Sequence, residues 1–143
     1  MEIQFLGTSA GTPTRTRNMT ACAIRSSGAK HWVLVDCAEG TQYRLQRTHL
    51  SPMSLRAIFI THLHVDHYAD LPNMYCFAPW AARWKPMRVT GPSGRNPEDG
   101  TKHMIEGMKD MVRWHTDSFN SSPIGDGYEV EVNEFDYKAD NGV

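Results

Sequence analysis

The feature that most constrains this chain is a run of metal-type ligands set directly after an apolar strand. His62-Leu63-His64-Val65-Asp66-His67 places three imidazoles and one carboxylate within six positions. It follows Ala57-Ile58-Phe59-Ile60-Thr61, which reads as a short buried strand. Imidazole and carboxylate are the ligands zinc takes when no thiolate is offered. Residues two apart on an extended segment point the same way, so His62 and His64 can grip one ion. Beyond the strand the backbone turns, and Asp66 and His67 can face a second ion beside the first. Two ions roughly 3.5–4 Å apart can clamp both the attacking and the leaving oxygens of a phosphodiester. A surface loop that merely contains histidines is the competing reading. The density of ligand types on an apolar anchor speaks against it. His31, His49, His103 and His115 stand singly, without a ligand-type partner at productive spacing, and read as surface or helix histidines.

The rest of the chain supplies an α/β frame for this loop. Glu2 to Leu6, Ala21 to Arg25, His31 to Asp36 and Met87 to Thr90 read as strands, and Tyr128 to Phe135 alternates as another. A loop from Thr8 to Asn18, rich in Gly, Thr, Pro and Arg, separates the first two, and Ser26-Ser27-Gly28 is a turn. Gly40 to about His49 suits a helix, with Thr41 or Glu39 placed to cap it. Asp70 to about Arg83 suits a second. Pro97 opens a third helical stretch in which Met104, Met108, Met111 and Val112 form an apolar stripe. Asn141-Gly142-Val143 is a hairpin-like turn signal with no strand after it.

Composition narrows the class. A chain of 143 residues, 40% hydrophobic and 22% charged, is one ordinary globular domain or part of a larger one. Its formal charge of −1 gives little long-range attraction for nucleic acid, so any phosphate binding needs locally clustered cations. Cys22, Cys37 and Cys76 are an odd count without CxxC spacing, which fits buried thiols in a reducing compartment. The N-terminus goes straight into strand alternation without a secretory pattern, and no apolar run is long enough to span a bilayer. The expected setting is cytoplasmic, away from membranes.

Four segments carry a family resemblance. They are Phe5-Leu6-Gly7-Thr8-Ser9-Ala10-Gly11-Thr12-Pro13-Thr14-Arg15-Thr16-Arg17-Asn18, then Asp36-Cys37-Ala38-Glu39-Gly40-Thr41-Gln42, then Ile58 through His67, and last Leu71-Pro72 with Gly91-Pro92-Ser93-Gly94. Together they resemble the N-terminal half of ribonuclease Z, the tRNA 3′-processing endoribonuclease of the metallo-β-lactamase superfamily. The resemblance implies a metallo-β-lactamase-type αββα sandwich of which residues 1–143 form the N-terminal part, the C-terminal half being absent. It implies two Zn²⁺ ions in the complete enzyme, bound weakly or not at all by this chain alone, with further ligands and a His-Glu pair from the missing half. Precursor tRNA is then the partner and removal of its 3′ trailer the reaction, with this chain alone nearly inactive. A half-sandwich also leaves a sheet face to cover, which predicts a homo-oligomer.

By the same resemblance His62, His64, Asp66 and His67 are metal ligands, and Asp66 is also the catalytic residue that handles the proton of the attacking water. Asp36 reads either as an acceptor for a ligand histidine N–H or as a strand-end turn residue. Arg15, Arg17 and Asn18 can hold a substrate phosphate or form a solvated loop. Trp80, Arg83 and Trp84 can stack on bases, though packing explains them as well. The family usually has Gly where this chain has Ala38 and Val65, and valine avoids positive φ. These departures leave open a small-molecule metallo-hydrolase of the same fold, arylsulfatase-like or phosphodiesterase. A non-catalytic fragment that assembles with another chain is the third reading.

Overall fold

Six segments of the chain pair into one sheet. In the computed structural model, residues 1–77, 86–119, 126–136 and 138 are described. The strands are β1 (Glu2–Gly7), β2 (Ala21–Arg25), β3 (Trp32–Val35), β4 (Leu55–Phe59), β5 (Met87–Pro92) and β6 (Val130–Phe135). Their spatial order repeats their chain order. The first three are antiparallel neighbours, and β3 through β6 run parallel. Helices therefore bridge the parallel strands, as such connections require. They are α1 (Thr41–Leu45), α2 (Leu71–Phe77), α3 (Thr101–Met111) and α4 (Arg113–Ser118).

One face of the sheet forms the core. Trp32, Leu34, Ile58, Met87 and Val89 are buried there against Leu45, Leu71, Met74, Tyr75, Ile105 and Met108. Each fully buried aliphatic side chain contributes about 1.5–3 kcal/mol. The Trp32 indole N–H donates to the Ser51 carbonyl at 2.8 Å, so the largest core side chain leaves no polar atom unmet.

The other face is apolar and open. Ile3 pairs with Ile24, Phe5 with Cys22, Cys22 with Val35, and Ile24 with Val33. Val33 then pairs with Ala57 and Val35 with Phe59, so one hydrophobic stripe crosses four strands. Phe5 is 71% exposed, Ile3 45% and Phe59 40%. One sheet with helices packed on one face and a bare apolar face on the other is a two-layer αβ unit.

Local chemistry shortens and re-caps the expected helices. α1 stops at Leu45 because the Thr48 hydroxyl donates to the Leu45 carbonyl and accepts the Leu50 N–H, turning the chain away. Thr41 does not cap it; its hydroxyl donates to the Ala38 carbonyl at 2.7 Å. Glu39 does not cap it either, since the Gln42 N–H is met at 2.6 Å by Asp70, 28 residues along the chain. Of the methionine stripe, Met108 is buried and Met104 and Val112 are partly so, but Met111 in the last turn of α3 is 67% exposed. Ile105 and Thr101 fill the core instead. The far part of the Asp70–Arg83 stretch, Trp80, Arg83, Trp84 and the Asn141-Gly142-Val143 turn lie outside the described residues. Among the described residues, no helix is long and apolar enough to cross a membrane.

Candidate metal centre

The site forms where the parallel strands end. β3 gives way to Asp36, whose backbone adopts a left-handed φ of 59° and whose N–H still pairs with the Phe59 carbonyl at 2.8 Å. That turn aims a carboxylate with 2% exposure at the end of the neighbouring strand. There it accepts the Thr61 N–H at 2.8 Å and the Thr61 hydroxyl at 2.9 and 3.0 Å. It also lies 2.7 Å from His67 Nδ1. Aspartate tolerates this conformation better than most residues because its short polar side chain bonds locally.

The ligand-type residues follow β4. His62 and His64 lie on the extended segment, and Val65–His67 closes into a 3-10 turn. Two backbone bonds lock this turn to the strand-end loop: Cys37 N–H to the His67 carbonyl at 2.7 Å, and Asp70 N–H to the Cys37 carbonyl at 2.9 Å. The rings converge. His62 and His64 centroids are 4.7 Å apart, His62 and His67 are 4.0 Å apart, and His62 Nε2 lies 3.0 Å from His64 Nδ1. Asp66 Oδ2 lies 3.5 Å from His67 Nε2 and accepts the Gly11 N–H at 3.1 Å. Partial burial, then the neighbouring His67 and His64, hold His62 below the ordinary imidazole pKa, which favours the neutral, ligating form.

These residues fit zinc in their chemistry. The donor set is imidazole and carboxylate, and Asp36 fixes the His67 proton on Nδ1, leaving the Nε2 lone pair directed toward Asp66. Among the described residues, no group of three or more His, Cys, Asp or Glu is arranged to hold a metal ion by itself.

Arg15 and Arg17 lie exposed on the Thr8–Asn18 loop, and the Gly11–Asp66 bond ties that loop to the site. Asn18 is half-buried and acts as a clamp. Its carbonyl accepts the Thr8 and Ser9 N–H groups at 3.0 and 2.9 Å, and its amide donates to the Gly40 carbonyl at 3.3 Å. Gly40 has φ 83°, and a Cβ there would meet the Asn18 amide at 2.3 Å. Neither departure from glycine strains the backbone. Asp36 is the only described non-glycine residue with positive φ, so Ala38 and Val65 adopt ordinary conformations. His115 packs against Phe77 and Phe119, while His103 lines a groove beside α3.

Three residues of this network have no role assigned from the sequence: Gly11, Thr61 and Asp70. Each acts on a partner far along the chain, Gly11 on Asp66, Thr61 on Asp36, and Asp70 on Gln42. Strand-end threonine and a loop glycine are too common to single out beforehand.

Comparison with known proteins then places the chain. The family described as anti-Pycsar protein Apyc1 matches residues 1–135. The chain belongs to the anti-Pycsar protein Apyc1 family. This Apyc1-family chain is also 54% identical over 92 residues to the ribonuclease Z of Marinobacter nauticus, covering 64% of this chain and 28% of that protein. Its fold is that of the crystal structure of human tRNase Z, short form, with TM-score 0.68 and 30% identity over 98% of this chain and 48% of that one. The metallo-β-lactamase fold protein YhfI of Bacillus subtilis aligns with TM-score 0.57 and 21% identity, covering 67% of this chain and 38% of that one. The chain thus has a metallo-β-lactamase-type fold and spans about 30% of the curated relatives it matches.

Proposed function

We propose that this chain carries the N-terminal part of a dinuclear zinc phosphodiesterase, in which His62, His64, Asp66 and His67 are ligands and the rest of the shell comes from a C-terminal half. The observation that carries this reading is the packing of the His62, His64 and His67 rings on one loop at the carboxyl ends of the parallel strands, with Asp66 3.5 Å from His67 and the buried Asp36 carboxylate on the other ring nitrogen of His67. The reaction we infer is that of ribonuclease Z, endonucleolytic removal of the 3′ trailer of precursor tRNA, in the cytoplasm. The 54% identity to a ribonuclease Z across the motif-bearing residues supports it.

Zinc, when bound, supplies Lewis-acid polarisation of the scissile phosphate and acidifies the attacking water. The chain's own residues do the rest. Asp36 holds the His67 ring with its Nε2 outward. Gly11 N–H fixes the Asp66 carboxylate, which then both ligates and takes the proton of the nucleophile. Arg15 and Arg17, on the loop anchored through Gly11 and Asn18, hold the RNA backbone. Two copies of the chain associate through the open sheet face.

A second reading has its own support: hydrolysis of a small phosphodiester. The match to the Apyc1 family over residues 1–135, together with Ala38 and Val65 in place of glycine, favours a branch distinct from the RNA-processing enzymes. One assay separates the two. The complete zinc-loaded enzyme is given a 3′-extended precursor tRNA and bis(p-nitrophenyl) phosphate. Cleavage of both, abolished by a chelator, is expected for the first reading; cleavage of the small ester alone moves the assignment to the second. Chelator-insensitive activity, or none on either substrate, would overturn both.

A further inference from the structure

The Gly91-Pro92-Ser93-Gly94 motif has no role in the site as described so far, yet it delivers a charge to it. A cavity of about 300 Å³ opens beside the ligand loop, lined by Thr61 and His62 on one side and by Gly94, Arg95, Asp99 and Phe135 on the other. Its walls come from the carboxyl ends of β4, β5 and β6, the edge of an open α/β sheet where ligands are bound. The volume lies at the small end of ligand pockets.

The loop that carries Arg95 is rigidly built. Ser93 N–H continues the β5–β6 pairing by donating to the Phe135 carbonyl at 2.9 Å. The hydroxyl of fully buried Thr101 donates to the Pro92 carbonyl at 3.0 Å. Gly94 has φ 74° and packs so closely on Asp99 that a Cβ would come within 2.5 Å of its backbone, so no other residue fits there. Asn96 Nδ2 donates to Asp99 Oδ2 at 3.0 Å, which engages the one carboxylate on that wall. Among the described residues, nothing engages Arg95, which forms neither a hydrogen bond nor an ion pair with them and is exposed to the cavity.

We infer that Arg95 is a substrate-positioning residue, holding a non-bridging phosphate oxygen of the scissile or adjacent phosphodiester across the cavity from His62. This rests on the phosphodiesterase reading of the site. A guanidinium is the side chain suited to this task, since it stays charged and presents paired donors to phosphate. The fixed loop removes the cost of ordering the backbone that carries this guanidinium.

Two measurements test it. In the complete zinc-loaded enzyme, R95A is expected to raise KM for bis(p-nitrophenyl) phosphate by about 10- to 100-fold, the loss of one charge-assisted hydrogen bond, with kcat much less affected. R95K should recover part of this, keeping charge without the paired geometry. R56A, at the opposite end of β4, controls for general loss of positive charge and should leave KM unchanged. In the second measurement, inorganic phosphate is titrated into metal-free protein, where weaker binding to R95A than to the parent is expected. Equal phosphate affinity and equal KM in parent and R95A would overturn the inference. An inactive parent whose phosphate binding still depends on Arg95 would instead overturn the phosphodiesterase reading and leave an anion site.

Discussion

Replacing Asp36 by Asn tests whether one buried carboxylate organises both the strand ends and the ligand loop. Asparagine keeps the size and tolerates the left-handed φ of 59°, so the backbone turn survives. One side-chain oxygen remains for Thr61, now as a neutral acceptor. The other position becomes an NH₂ facing His67 Nδ1, where the structure has an acceptor at 2.7 Å. Two donors then oppose each other. His67 relieves the conflict by moving its proton to Nε2, and so loses the lone pair that faces Asp66. Exchanging a charged for a neutral acceptor in the bonds to Thr61 costs about 1–2 kcal/mol of stability. Loss of such an outer carboxylate typically lowers metal affinity about 10- to 100-fold. Zinc affinity is read by competition with a chromophoric chelator, and stability by urea unfolding in the presence of EDTA. Asp36→Ala should destabilise further, since it removes every bond and leaves a β-carbon residue in an unfavourable conformation. If Asp36→Asn bound zinc within about threefold of the parent, the argument that Asp36 sets the His67 tautomer would be wrong.

Further outcomes follow from the same geometry. Asp66→Ala in the complete enzyme should lower turnover by at least about 10²–10⁴-fold with an unchanged circular dichroism spectrum, since a proton acceptor and a ligand are lost together. Arg15→Ala should weaken precursor-tRNA binding and flatten its salt dependence while sparing a small chromogenic ester, measured by filter binding and steady-state kinetics. Phe5→Glu with Phe59→Glu should shift the chain toward monomer in light scattering, because both side chains lie on the open sheet face; a parent chain already monomeric would refute that use of the face. Burial pushes the Tyr75 phenol up to about 12 from 10.0, and its hydroxyl donates to the Tyr128 carbonyl at 3.0 Å. The unfolded chain ionises first, so stability should fall as pH rises from 10.0 toward about 12, and Tyr75→Phe should flatten that limb in pH-dependent urea titrations.

Much of the frame is legible in the residues because it rests on local patterns. Short apolar or alternating runs bounded by turns mark all six strands, and the ligand run at the end of Ala57–Thr61 places the candidate site before any fold is known. The rest depends on long-range partners. The first turn of α1 is capped by Asp70 rather than Thr41, since a better acceptor arrives from 28 residues away. The tie between Gly11 and Asp66 spans 55 residues. Alternation in β1 shows that Ile3 and Phe5 share a face, but only the assembled sheet shows that this face is the open one. The methionine stripe predicts burial equally at Met108 and Met111, whereas the helix end leaves Met111 exposed.

A sheet whose spatial order repeats its chain order has a consequence for how it is made. Each strand pairs with the strand just before it in the chain, so every pairing closes a loop to an immediate predecessor and to no earlier strand. Antiparallel β1, β2 and β3 can pair as a unit of local connections, to which β4 adds by a parallel crossover. With β4 in place, Asp36 meets Thr61 and His67, so the ligand loop can be ordered before β5 and β6 are added. Growth leaves one apolar face waiting throughout, and whatever covers that face arrives upon a surface that is already organised.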